Sequence, residues 1–204
     1  VPVIETNYDD VASMKDLLKQ HNIEIVISAL TMSFKGGADS QMNLIRAAID
    51  ASIVKRFIPS EWGVNTSQPG MLDWSPTATW WTDAADLLRS SHIDFTRVIL
   101  GWYSDYFAMP NYKSNMMPFY YALDIPHRKA ALPGDGNGAV TFMHSTDVAK
   151  YVVAILDDQK KWPEFSPFAA DKLTWNKVVE IAERVTGKPF LTFTPCRSRI
   201  KLTV

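Results

Sequence analysis

A doubly wound, parallel α/β sheet is the architecture to which this chain points. Short apolar runs and amphipathic helical stretches alternate as β-α-β-α-β within about sixty residues, the pattern of a parallel sheet with crossover helices. Residues 23–30 form a near-continuous apolar run, as expected of a strand buried on both faces. A second run, residues 54–58, ends abruptly at Pro59 and turns polar through Ser60, Glu61, Trp62 and Gly63. Proline cannot donate to a sheet ladder, so that strand stops near Ile58. The following turn then lies at a carboxyl strand end, the edge where open α/β sheets bind ligands.

Each element has a local reason. Residues 3–5 read as the tail of a strand. Asp9 or Asp10 caps a helix whose Val11, Met14, Leu17 and Leu18 share one face. Gly36-Gly37 predicts a flexible loop, and a helix beginning near Asp39 or Ser40 turns Met42, Ile45, Ala48, Ile49 and Ser52 inward. Residues 64–79 are polar and irregular. A helix is expected over 82–91 with Ala85, Leu87 and Leu88 inward, then a strand over 93–100. Residues 108–131 are loop-like yet rich in Met, Tyr and Phe, more apolar area than a surface loop ordinarily carries, so they read as a pocket wall, a lid or an interface.

Pro133-Gly134-Asp135-Gly136-Asn137-Gly138 reads as a turn rather than a phosphate loop, because it does not link a strand to a helix. A strand over 139–142 follows it. Ser145 or Thr146 then caps a helix with Val148, Val152 and Ile155 inward. Thr174 caps another, with Val178, Ile181, Ala182 and Val185 inward and Gly187 as its stop. A short strand over 190–193 and a loose tail after Pro195 complete the chain. The expected division is a nucleotide-binding core over 1–158, with 108–131 as its pocket segment, and a C-terminal subdomain and tail over 159–204.

Composition excludes several classes of function. With 21 basic and 22 acidic residues, the charge implies neither nucleic acid nor an acidic membrane as partner. One cysteine, Cys196, forms no internal disulfide and suits a reducing, cytoplasmic compartment. No apolar run is long enough to span a bilayer, and residue 1 is not followed by the pattern of a signal peptide. His21, His92, His127 and His144 have no metal-ligand spacing, so no metal site is expected. No Gly-x-Ser-x-Gly elbow is present, which argues against a serine hydrolase.

Lys55-Arg56-Phe57-Ile58-Pro59-Ser60-Glu61-Trp62-Gly63 resembles the KRF-x-PSE-aromatic-G segment of the NmrA-like proteins. These include plant isoflavone reductases, phenylcoumaran benzylic ether reductases and fungal relatives, which are atypical short-chain dehydrogenase/reductases on a Rossmann fold. Glu24-Ile25-Val26-Ile27-Ser28-Ala29-Leu30 is similar to their D-I-V-I-S-A-L strand, and Gln41 sits where they often carry glutamine. Phe95-Thr96-Arg97-Val98 with Tyr103 and Asp105-Tyr106-Phe107 is similar to their Y-T-x-V … F-x-x-Y-F segment. Further likenesses occur at Pro133 to Asn137, Phe142 to Ala149, and Thr174-Trp175-Asn176, so the resemblance extends from Val3 to about Phe193.

The resemblance implies an NADP- or NAD-dependent reductase of small aromatic or polyketide-like secondary metabolites. It places Asn7 and Tyr8 near the adenine, and Ser28, Ala29 and Leu30 along the ribose and phosphates. Pro59, Ser60 and Glu61, with Gly101, Trp102 and Tyr103, would surround nicotinamide and substrate. A small-molecule substrate is the implied partner, and the oligomeric state is left open.

Two departures qualify this. The chain begins at what would be the third strand of the fold, without the glycine fingerprint that lets backbone N–H groups approach a pyrophosphate. The family's general-base lysine falls at Trp81, and no lysine lies between Lys55 and Lys113. Glu61, Tyr103, Tyr106, Asp105 and His144 are alternative proton carriers, none singled out by the sequence. A catalytically silent NAD(P)-sensing regulator, or an inactive incomplete chain, are the alternatives these departures support.

Overall fold

The computed structural model describes residues 2–194; Cys196 and the expected loose tail lie outside the described residues. The chain divides into two compact units, Val1–Ile99 with Ile155–Pro167, and Leu100–Ala154 with Phe168–Val204. This differs from a single cut after residue 158. The chain leaves the first unit after Ile99, and a later segment returns to it to pair with one of its strands.

The first unit holds α1 (Val11–Gln20), β1 (Ile25–Ile27), α2 (Lys35–Ala51), β2 (Arg56–Ile58), α3 (Met71–Trp74), α4 (Thr79–Arg89), β3 (Asp94–Phe95) and β4 (Arg97–Ile99). Strands β1, β2 and β3 form a parallel sheet in that order, with Val26 opposite Phe57 and Phe57 opposite Phe95. One face of this sheet is packed by Ile45, Ala48 and Ala51 of α2 and Ala84, Ala85 and Leu88 of α4, together with Val54 and Ile93. The Asp10 carboxylate caps α1 by accepting from the Ser13 N–H at 2.9 Å. Pro59 ends β2 as expected.

Several local expectations are corrected. Residues 3–5 form no strand, and Val3 is 95% exposed, because no described strand lies alongside them. Strand β1 is shorter than residues 23–30 and buried on one face only, Ile25 and Ile27 being 37% and 42% exposed. Gly36 and Gly37 are no flexible loop but the first turn of α2. A Cβ on Gly37 would lie 1.8 Å from the Thr31 carbonyl oxygen, so glycine permits a close loop-to-helix approach. Ser52, expected inward, is the exposed left-handed C-cap of α2. The strand expected over 93–100 splits at Thr96: β3 pairs with β2, whereas β4 pairs in parallel with β9 (Phe165–Pro167).

The second unit contains β5 (Trp102–Tyr103), α5 (Asp105–Ala108), β6 (Leu123–Asp124), β7 (Lys129–Ala131), β8 (Ala139–Met143), β10 (Asp171–Thr174), α7 (Trp175–Thr186) and β11 (Leu191–Phe193). Helix α6 (Ser145–Asp157) starts here. Strands run β10-β8-β5, with β8 antiparallel to β10 and parallel to β5, and β11-β7-β6 form a second small sheet. Their core gathers Leu123, Leu132, Phe142, Trp175, Val178 and Phe190. Within residues 108–131, expected to be loop, the pair β6–β7 is regular. Thr174 caps α7 by accepting from the Lys177 N–H, and Gly187 ends it in the left-handed region. Val185, expected inward, is 77% exposed, since it lies at the last turn beyond the packed face.

Candidate functional site

Strands β1 and β2 are parallel, so their carboxyl ends lie side by side, and side chains brace them there. Ser28 follows β1 and donates its N–H to the Ile58 carbonyl at 2.8 Å. Ser60 follows β2 and has every polar group engaged. Its N–H donates to Gln41 Oε1 at 2.6 Å, its hydroxyl to the Leu30 carbonyl at 2.7 Å, and its carbonyl accepts the Trp81 indole N–H at 3.0 Å. The Trp62 indole N–H reaches back 2.8 Å to the Ser28 carbonyl. Trp62 adopts φ 44°, a left-handed backbone that a bulky residue holds only where its surroundings impose it.

The next residue type is the decisive one. The Glu61 side chain is buried and paired with buried Arg97 of β4: Nε donates to Oε2 at 2.6 Å and Nη2 to Oε1 at 2.8 Å. The guanidinium also donates to Thr66 Oγ1 at 2.9 Å and to Ser67 Oγ at 2.7 Å. Its carbon sits 4.8 Å from the Phe165 ring centroid. Glu61 Oε1 accepts further from the Thr66 hydroxyl at 2.8 Å. Both carboxylate oxygens of Glu61 are thus engaged by the guanidinium.

The sequence-predicted residues therefore separate. Ser28, Leu30, Pro59, Ser60 and Glu61 are drawn together at the strand ends. Ala29 is exposed beside them. Asn7 is exposed and caps the Asp9 N–H, and the Tyr8 carbonyl accepts from Asn43 of α2 at 3.0 Å. Tyr8 also borders an apolar hollow of about 160 Å³ lined by Ile4, Leu17, Leu18 and Ile23 among others. Buried Ser28 Oγ and Gln41 Nε2 have no hydrogen-bond partner.

Gly101, Trp102 and Tyr103 belong to the second unit. Gly101 has φ 77°, and a Cβ there would lie 2.4 Å from the Thr141 carbonyl oxygen, so only glycine fits. Trp102 stacks on Tyr121 with centroids 4.0 Å apart, parallels Phe119 at 6.4 Å, and meets Trp175 edge-on. Tyr103 meets Tyr106 edge-on at 6.2 Å. Burial pushes the Tyr103 phenol up to about 12, with Tyr106 and Asp105 adding to the effect. Burial likewise raises Tyr106, with a contribution from Asp105. Both shifts favour the protonated phenol.

Asp105 is the second buried carboxylate. It accepts from the Ser145 hydroxyl at 2.6 Å, the Ser145 N–H at 2.9 Å and the Ser114 hydroxyl at 2.9 Å. Burial would raise its pKa, but the Ser145 and Ser114 hydrogen bonds, with His144 nearby, outweigh that and hold it below the ordinary value. His144 Nδ1 accepts from the Thr146 N–H at 3.2 Å, and its buried Nε2 lies 3.6 Å from Asp105 Oδ1. Among the described residues no cluster of three or more metal-binding side chains occurs.

Sequence reasoning missed Arg97, Gln41, Trp62, Thr66 and Ser67 as parts of the strand-end assembly. The available signal was Arg97 itself, a charge inside an otherwise apolar strand. Its partner could not be read from sequence, since 36 positions separate it from Glu61.

Parallel strands with crossover helices, and a braced polar turn on their carboxyl edge, define a Rossmann-like α/β protein. Residues 1–198 match the model of the NmrA-like family, and the chain belongs to that family. It is similar to oxidoreductase BOA1 of Botryotinia fuckeliana (strain B05.10), at 33% identity over 97% of this chain and 65% of the relative. Among solved structures, AtPrR2 with NADP+ and (+)pinoresinol matches at 26% identity and TM-score 0.74, over 94% of this chain and 61% of that one. The ternary complex of leucoanthocyanidin reductase from Vitis vinifera shares the fold at TM-score 0.75 and 23% identity, over 94% and 63%. The chain thus spans just under two thirds of the length of these relatives. Among the described residues no helix is long and apolar enough to cross a membrane.

Proposed function

We propose that the chain belongs to an NADPH- or NADH-dependent reductase of small aromatic or polyketide-like molecules, with the dinucleotide along the carboxyl ends of β1 and β2. The observation that carries this is the braced strand-end turn, in which Ser60 is fixed to Leu30 and Trp62 to Ser28 on the edge where open α/β sheets bind ligands. Family membership supports it, as do an oxidoreductase relative and a structural relative holding NADP+ with the aromatic compound pinoresinol. The protein's own residues supply the support for the cofactor: α2 and the turn hold the strand ends, and Ser28, Ala29 and Leu30 line the edge. The dinucleotide supplies the hydride.

A second function, sensing of the dinucleotide without catalysis, is favoured by Trp81. At the position where the family's reductases carry a lysine, the indole N–H is spent on the Ser60 carbonyl, and proton transfer by a placed group contributes roughly 10²–10⁴-fold to rate. Calorimetry of the protein with NADPH and NADH, followed by nicotinamide absorbance in the presence of aromatic enones and benzylic ethers, separates the two. Binding with cofactor oxidation supports the reductase. Binding without cofactor oxidation in the presence of any of these substrates supports the sensor, and absence of binding rejects both.

A further inference from the structure

Arg97 has no surface from which to touch a ligand, yet four of its hydrogen bonds go to a single turn. Two reach Glu61, one Thr66 and one Ser67. The side chain is fully buried in β4, whose own backbone is fastened to Glu164 at 2.7 Å. The chain therefore folds residues 61–67 around a fixed guanidinium. Immediately beside Glu61 stand Ser60, which follows β2, and Trp62, whose indole ties down Ser28 just after β1.

Bulk alone does not account for this. Apolar residues of similar volume fill a buried site as well as an ion pair does, and frequently stabilise it more, because they carry no desolvation cost. What an apolar pair lacks is direction: the guanidinium presents its donors in a rigid plane and dictates where each acceptor sits. The left-handed backbone of Trp62 is the conformation that needs such dictation.

We propose that Arg97 is a positioning residue. Through Glu61 it sets the conformation of the turn over 59–67 and thereby the affinity for the dinucleotide, an inference that rests on the dinucleotide-binding function proposed above. Glu61 is accordingly the receiver of this constraint and not a proton carrier.

The test is the double variant Arg97→Met/Glu61→Met, compared with wild type in thermal melting, NADPH titration and amide exchange at Ser60 and Thr66. Melting at or above the wild-type temperature is expected, because the desolvation cost of the pair is gone. NADPH affinity is expected to fall about tenfold or more, and exchange at the two amides to quicken by a similar factor, as the directional hydrogen bonds are lost. Unchanged affinity together with unchanged exchange would overturn the proposal and leave the pair a purely structural element. Should the double variant fail to fold, Arg97→Lys carries the test: it keeps the charge but cannot reach Glu61, Thr66 and Ser67 together. Weaker NADPH binding with faster exchange at Thr66 supports the proposal, and wild-type values for both reject it. If wild type itself binds neither NADPH nor NADH, the proposed function fails by that result alone, while amide exchange in the variants still decides whether Arg97 sets the turn.

Discussion

Two buried carboxylates, Glu61 in the first unit and Asp105 in the second, are compensated in different ways. Glu61 meets an opposite charge, the Arg97 guanidinium. Asp105 is held mainly by neutral donors, two serine hydroxyls and the Ser145 N–H at the start of α6, where the helix dipole favours an anion, with the His144 ring 3.6 Å away. An ion pair makes each partner depend on the other, so losing one strands a charge in a medium that cannot solvate it. A carboxylate among hydroxyls depends on many weaker contacts and loses them piecemeal. The first arrangement suits a turn that must hold one shape. The second joins three segments, α5, the loop at Ser114 and the start of α6, through a single acceptor.

The largest effect should come from breaking the pair on one side. Arg97→Met leaves Glu61 buried without its partner and is expected to cost about 3–5 kcal/mol, read by urea unfolding. A cost under 1 kcal/mol would mean that the turn reopens to water and that the contrast with Asp105 is false. Asp105→Asn should cost less, about 1.5–3 kcal/mol, because an amide oxygen still accepts from Ser145 while the charge-assisted strength is lost. A cost equal to that of Arg97→Met would erase the distinction.

The pH dependence of that second substitution sharpens the comparison. Asp105 is held below its ordinary value in the folded protein, so its stabilisation is present above the unfolded value of about 3.9 and fades as the pH drops through the folded one. The stability gap between wild type and Asp105→Asn should therefore be constant near neutrality and narrow below about pH 4, as followed by denaturant midpoints at successive pH values. A gap that widened with acid would reverse the assigned sign.

Gln41→Met tests a neutral donor–acceptor pair at the same strand ends. It leaves the Ser60 N–H unpaired, at about 1–3 kcal/mol, offset in part by removal of the unpartnered Nε2. Smallest should be Thr174→Ala, which removes the exposed cap of α7 and costs about 1 kcal/mol by thermal melt. If it matched Gln41→Met, burial would not be what gives the strand-end contacts their weight.

The alternation of α1, β1, α2 and β2, the end of β2 at Pro59, a cap at Asp9 or Asp10, the cap at Thr174 and the stop at Gly187 were legible in the sequence, because each depends on residues within a turn of one another. So was the kinship at Lys55 to Gly63. Where reading failed, distance was the cause. Gly36 and Gly37 look like a loose loop until Thr31 is seen to press on the helix. Residues 93–100 look like one strand until β9 returns to pair with half of it. The partner of Glu61 stays hidden until Arg97, 36 positions away, is found against it.

Residue chemistry alone thus determined that this chain would form parallel strands with polar turns at their carboxyl ends, since periodicity and proline act locally. Only tertiary structure decided which polar groups at those ends are spent and which remain. Hydrogen bonding between residues 21 to 36 positions apart is settled by packing, and a side chain's type does not reveal whether its partners have already been taken.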